Sequence, residues 1–121
     1  MQDIVIGNLT FRIEHRTFGG DRGPAIRVFG EVEGRDVQLL RFDCFESDPH
    51  YHYDPTDKNV MFHLDRLTMV DPLEFSLSQI AGNAKAMIEK AGFAGVAADV
   101  DQAELSTRAG EIRQLVLAGS S

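Results

Sequence analysis

Apolar and polar residues alternate with a period of two through the first half of the chain and recur every three to four positions through the second, a pattern that predicts strands followed by helices. Residues 4–6 make a short strand, and Gly7-Asn8 a two-residue hairpin turn that tolerates positive φ. Over residues 9–16, Leu9, Phe11, Ile13 and His15 share the face predicted to point inward, with Thr10, Arg12, Glu14 and Arg16 on the other. A glycine-rich loop over residues 18–24 leads to a third strand, 25–32, where Ile26, Val28 and Val32 continue the buried face. Glu33-Gly34 turns the chain again. In the fourth strand Val37 and Leu39 have one phase and Leu40, Phe42 and Cys44 the other, a slip that predicts a β-bulge near Leu39. Val60, Phe62 and Leu64 make the fifth strand, with Met61, His63 and Asp65 opposite.

Both predicted helices carry the same start signal. Asp71-Pro72-Leu73-Glu74 combines an N-cap, a proline at the first helical position and a capping-box glutamate, with Val70 and Phe75 as a hydrophobic staple. Asp101 and Glu104, with Val100 and Leu105 as the staple, repeat it, and each cap is worth about 1 kcal/mol. Leu73, Leu77, Ile80, Ala84, Met87, Ile88 and Ala91 form one stripe ending at Gly92; Leu105, Ala109, Ile112, Leu115 and Val116 form another ending at Gly119. Two such stripes and a one-sided sheet fit a two-layer α+β sandwich, a five-stranded antiparallel meander with two C-terminal helices packed on one face. The chain, 1–121, reads as one domain, with the meander over 1–66 and the capped helices over 71–119.

Composition narrows the setting. No apolar run approaches the roughly 18 residues of a membrane span, and the first residues lack the basic and apolar regions of a signal peptide, so a cytoplasmic protein with no membrane contact is expected. The single Cys44 excludes an internal disulfide and a Cys-rich zinc module. A net charge of −7 opposes docking on a phosphate backbone, which argues against nucleic acid as a partner. Arg12, Arg16, Arg22, Arg27, Arg35 and Arg41 nevertheless fall in the first third, leaving room for a local basic patch.

The candidate chemistry lies in Pro49-His50-Tyr51-His52-Tyr53-Asp54-Pro55. In extended backbone His50, His52 and Asp54 converge while Tyr51 and Tyr53 face the other way. With His63 from the next strand and Asp43 nearby, they compose a three- or four-ligand site for a divalent metal such as zinc. The competing readings are a solvated loop pinned by its tyrosines, and metal-free acid–base use. By alternation the uncovered sheet face carries Arg41 and Asp43 together with Phe29 and Phe45, two aromatic rings among charges that predict a cleft floor or an interface for a homodimer or another protein. His15 is expected to be a semi-buried, hydrogen-bonded residue and Cys44 a small buried hydrophobe. The segment from Gly19 to Gly23 reads as a plain hairpin loop before an anion nest, and Asp43, Glu46, Asp48, Asp54 and Asp57 as a solvated acidic rim.

With Arg41-Phe42-Asp43-Cys44-Phe45, the histidine-tyrosine run and Asp71-Pro72 in view, most of the chain resembles a family of small uncharacterised bacterial proteins classed as a domain of unknown function. Arg41, Asp43, His50 and His52 also resemble a pattern in toxin components of small bacterial toxin–antitoxin pairs, which implies an antitoxin-like partner. The leading expectation is a divalent-metal or small-ligand site, with metal-assisted hydrolysis as its chemistry if the protein is an enzyme. The alternative is a non-catalytic interaction module. A third reading is an RNA-acting protein using His50 or His52 beside Arg41 and Arg16.

Overall fold

Strand alternation leaves one dry face of the sheet, and the amphipathic helices supply the surface that covers it. The computed structural model describes residues 1–119. Its strands are β1 (Gln2–Ile6), β2 (Leu9–Phe18), β3 (Asp21–Val32), β4 (Arg35–Asp43), β5 (His50–Tyr53) and β6 (Val60–His63), followed by α1 (Pro72–Lys90), α2 (Ala94–Ala98) and α3 (Gln102–Gly119). The strands form one antiparallel sheet in sequence order. Helix α1 packs on α3, β4 and β5, α2 on β3, and α3 on β1 and β2. Phe11, Ile26, Leu40, Phe42, Ile80, Ile88, Leu105 and Ile112 are fully enclosed between the layers.

The α+β architecture matches the sequence pattern, but the sheet has six strands, not five. The additional one is β5, the histidine segment itself, paired with β4 on one side and β6 on the other. Pro49 and Pro55 bracket the segment and make it read as a loop, yet both lie outside the four paired residues, where a missing N–H removes no ladder bond. Tyr51 stacks against Phe42 and Phe62 on the helix side, and this aromatic packing draws the segment into the sheet.

The glycine segment is the expected hairpin, with a shorter turn than the loop over 18–24. Gly19 and Gly20 are the two central residues of a tight hairpin, with φ of 59° and 85°, and Phe18 pairs with Asp21 directly across it. Pairing then runs on through Gly23, where the main chain of Cys44 and Phe45 passes so close that an added Cβ would run into the Cys44 carbonyl oxygen. The bulge falls where the phase slips: Val28 faces Leu40 and Phe29 faces Gln38, leaving Leu39 as the extra residue. Leu39 and Leu40 are consequently both buried, while Gln38 and Arg41 stay on the outer face.

The helix starts fold partly as expected. Asp71 accepts from the Glu74 N–H at 3.1 Å and Asp101 from the Glu104 N–H at 3.1 Å. The reciprocal arm of the first capping box is missing, because the Glu74 carboxylate pairs instead with Arg113 of α3 at 2.7 and 3.0 Å. Val70 is 80% exposed and staples nothing, whereas Val100 and Leu105 are both buried. Helix α1 stops at Gly92 (φ 106°), with the Phe93 N–H reaching back to Ile88 and the Gly92 N–H to Glu89, a Schellman closure. The short α2, too brief for a periodic signal, inserts Val96 and Ala97 into the core. His15, expected inward, is exposed, because β2 outruns the sheet's covered region and its imidazole lies beside Gly119 at the end of α3.

Replacing Gly23 by alanine forces β3 away from the Cys44–Phe45 main chain that follows β4, beside the cleft. The expected loss is about 1–3 kcal/mol, read as a lower urea midpoint with an unchanged slope.

Candidate functional site

On the outer face of the sheet, register sets side chains in rows. Asp43 pairs across to Ala25 on one side and His50 on the other, and His50 pairs with His63. The next row holds Arg12, Arg27, Arg41, His52 and Met61. Ala25 and Gly23 present almost no side chain, so Arg16 of β2 reaches across β3 to donate from Nη1 to Asp43 Oδ1 at 3.0 Å. Small residues on one strand thereby connect groups two strands apart.

Asp43 is 1% exposed and is the hub of this face. Its Oδ2 accepts from Arg41 Nε at 3.0 Å and lies 3.0 Å from His50 Nε2 and 3.1 Å from His52 Nε2. Burial pushes the carboxyl pKa up, but the His52 hydrogen bond, the charges of Arg41 and His50 and the Arg41 hydrogen bond outweigh it and bring it down to about 2. The group is therefore an anion throughout the neutral range.

Each histidine is oriented through its other nitrogen. His50 Nδ1 is 2.8 Å from the Asp48 carbonyl, which can only accept, so Nδ1 carries a proton. A neutral His50 then has only a lone pair at Nε2 to set against the Asp43 carboxylate, and the contact becomes attractive when a second proton or a cation lies there. His52 Nδ1 donates to Asn59 Oδ1 at 2.7 Å. Its Nε2 accepts from Arg41 Nη2 at 2.9 Å when the ring is neutral, and donates to Asp43 when the ring is charged. His63, at the rim, sets Nδ1 2.8 Å from Asp48 Oδ1.

Asp43, His50 and His52 thus bring one donor atom each within 4.8 Å of one another, as do Asp48, His50 and His63. Asp54 does not join either group. It follows the last β5 residue with φ 50°, which turns the chain away, and its carboxylate accepts from the Lys58 N–H at 3.1 Å. The expected convergence of residues i, i+2 and i+4 therefore stops at His52, because the extended backbone stops at Tyr53.

Of the two phenylalanines expected at a cleft floor or an interface, Phe45 lines a cleft, and both rings are largely covered. Phe45 is 3% exposed, lying edge-on to His50 with Arg16 over its ring, and Phe29 is half-buried beneath the Arg12 guanidinium at 4.8 Å. Phe45 is a floor residue of a cleft of about 650 Å³ whose walls include Arg16, Arg41, the three histidines and Asp43. Phe18 stands at its mouth and Met61 on its far wall. Most of the N-terminal arginines are matched by carboxylates, Arg12 by Asp3, Arg22 by Glu46 and Arg27 by Glu14, in place of the open basic patch the sequence allowed. Cys44 lies on the inner face against Ser76 Oγ at 3.4 Å, and burial pushes its thiol up to about 12, which suits a core residue and not a nucleophile.

A model of the family described as domain of unknown function DUF7700 matches residues 3–116. The chain belongs to that family. The match spans all of the sheet but Gln2 and nearly all of the helical layer of this DUF7700 domain, so every residue of the cleft falls within it. No curated protein and no solved structure matches the chain. No helix among the described residues is long and apolar enough to cross a membrane.

Sequence reasoning singled out Asp43, His50, His52, His63 and Arg41 but missed two supports. Asn59 gave no signal, since its role follows from a left-handed φ of 49° that aims its amide at His52. Asp48 was legible only as one acidic residue among several, although its carbonyl fixes His50 and its carboxylate meets His63.

The lowered Asp43 pKa makes a signed prediction. Stability from this carboxylate is fully present above its unfolded value of 3.8 and is lost as pH falls toward about 2, a change of about 2 kcal/mol. Urea melts between pH 6 and pH 2 should show that slope in the wild type in excess of an Asp43→Asn variant, which is less stable at neutral pH because it leaves the surrounding cations unmatched.

Proposed function

We propose that the protein binds one divalent transition-metal ion, zinc foremost, through Asp43 Oδ2, His50 Nε2 and His52 Nε2, and uses it to hydrolyse a small substrate in the cleft. The observation that carries this reading is that both imidazoles have Nδ1 engaged by a fixed acceptor and turn Nε2 toward one carboxylate oxygen. Ligating histidines are normally held in this way by their second nitrogen, and a ligating carboxylate by a further donor on its other oxygen, here Arg16. Donor separations of 3.0 and 3.1 Å also suit a shared ion, because two ligands about 2.1 Å from one centre sit about 3.0–3.4 Å apart. Two histidines and one carboxylate leave coordination positions open, as catalytic centres require.

Arg41 now bridges Asp43 Oδ2 and His52 Nε2, placing a cation next to the position the ion would take, and its Nη2 has to withdraw from His52 for metal to bind. The ion would act as a Lewis acid and lower the pKa of a bound water to about 7. His63 is the base for that proton: Asp48 holds its Nδ1, which leaves Nε2 as an acceptor at the cleft rim.

Elemental analysis of tag-free protein reconstituted with zinc and dialysed should return about one ion per chain, and none in His50→Ala or His52→Ala. His63→Ala should keep the ion and lose about 10²–10⁴-fold in hydrolytic rate. A wild type that takes up no zinc ends the reading.

A second reading, pairing of two copies, is favoured by β6, a terminal strand of the sheet on which Val60, Met61 and Phe62 are all exposed. Light scattering should then give the mass of two chains, falling to one in Val60→Lys. A wild type that stays monomeric at high concentration excludes it.

A further inference from the structure

With a divalent ion in place the cleft would carry a net positive charge. Arg16 and Arg41 already match Asp43 from both of its oxygens. The other two cleft carboxylates are engaged elsewhere: Asp21 accepts from the Ser47, Asp48 and Arg22 N–H groups at 3.0, 2.8 and 2.9 Å, and Asp48 holds His63. With a dication added, two guanidiniums and the ion stand against three carboxylates, a positive excess before any histidine is protonated. Without the ion the same lining is one negative charge in excess, so the positive excess belongs to the metal-loaded cleft.

The guanidiniums are placed to use it. Each carries five N–H donors, and Asp43 takes one from Arg16 and one from Arg41. Both side chains remain partly exposed, at 24% and 19%, on the cleft wall. Arg16 is held between two rings, 5.8 Å from the centre of Phe18 and 5.9 Å from that of Phe45. Withdrawal of Arg41 Nη2 from His52 would free a further donor beside the ion.

The walls add an apolar requirement. Phe18 is 66% exposed at the hairpin tip, contributes nothing to the core, and lines the cleft mouth. Met61, 42% exposed, lines the same cleft.

We propose that the ligand of this cleft is a small organic oxyanion, a phosphate- or carboxylate-type headgroup on a flat apolar body, with the headgroup between the metal position, Arg16 and Arg41 and the body against Phe18 and Met61. The proposal builds on the metal reading for its charge excess and goes beyond it in naming the ligand class. A cleft of about 650 Å³ suits a molecule of this size, and the overall acidity disfavours an extended polyanion such as RNA.

The test is calorimetric titration of phenylphosphonate and methylphosphonate, neither of which is hydrolysed, into protein with and without zinc, with zinc content measured in each sample. Zinc-loaded wild type should bind phenylphosphonate about tenfold more tightly than methylphosphonate. Phe18→Ser should abolish that preference while leaving methylphosphonate binding in place, and Arg16→Gln at saturating zinc should weaken both about tenfold. Zinc-loaded protein that binds neither phosphonate, or binds both with no response to either substitution, overturns the proposal while leaving the metal reading intact. Phosphonate binding to a protein that takes up no zinc overturns the proposal, because the charge excess on which it rests is then absent. Absence of binding with and without zinc overturns the anion site outright.

Discussion

A carboxylate held almost entirely out of water is the constraint around which the outer face of this sheet is arranged. Isolated in the interior, such a charge would neutralise or destabilise the fold, so its persistence requires compensation from several directions. Asp43 obtains it from β2 through Arg16, from its own strand through Arg41 and from β5 through His50 and His52. The site is therefore also a clasp across four strands, β3 contributing by the smallness of Gly23 and Ala25. Removal of any one partner is a structural event as well as a chemical one, because the charges that remain have lost their balance.

The two faces of β5 divide the work of stability and chemistry. Tyr51 and Tyr53 point to the helices and join Phe42, Phe62 and Phe75 in a continuous aromatic cluster, while His50 and His52 point into the cleft. Packing on one side fixes the strand, and the fixed strand holds the imidazoles 5.0 Å apart on the other. A site on a paired strand between two neighbours is held more tightly than one on a loop, which is what a small set of converging donors requires.

Much of this was legible in the residue pattern, and the reasons for the remainder are local. The meander, the bulge at Leu39, both aspartate caps and the stop at Gly92 follow from alternation, phase slip and side-chain chemistry that act within a few residues. The strand character of β5 depended on aromatic partners far away in sequence, and its flanking prolines pointed the other way. Phe29 and Phe45 lay on the polar phase as read, but alternation cannot report that an arginine of β2 lies over each ring. Asp54 failed to join His50 and His52 because one left-handed residue ends the repeat, and an aspartate immediately before a proline does not announce that conformation. Glu74 found a stronger partner in α3 than the backbone N–H its motif prescribes.

The bulge has a reach beyond its own strand. The extra residue offers its carbonyl to the Asp54 N–H at 2.9 Å, Asp54 in turn accepts from the Asn59 N–H at 2.7 Å, and Asn59 receives the Nδ1 proton of His52. A backbone irregularity buried at Leu39 is thus connected to a cleft histidine through three successive hydrogen bonds. The orientation of a cleft imidazole is written partly into the hydrophobic layer, and repacking around Leu39 can move His52 without altering a single residue that faces the cleft.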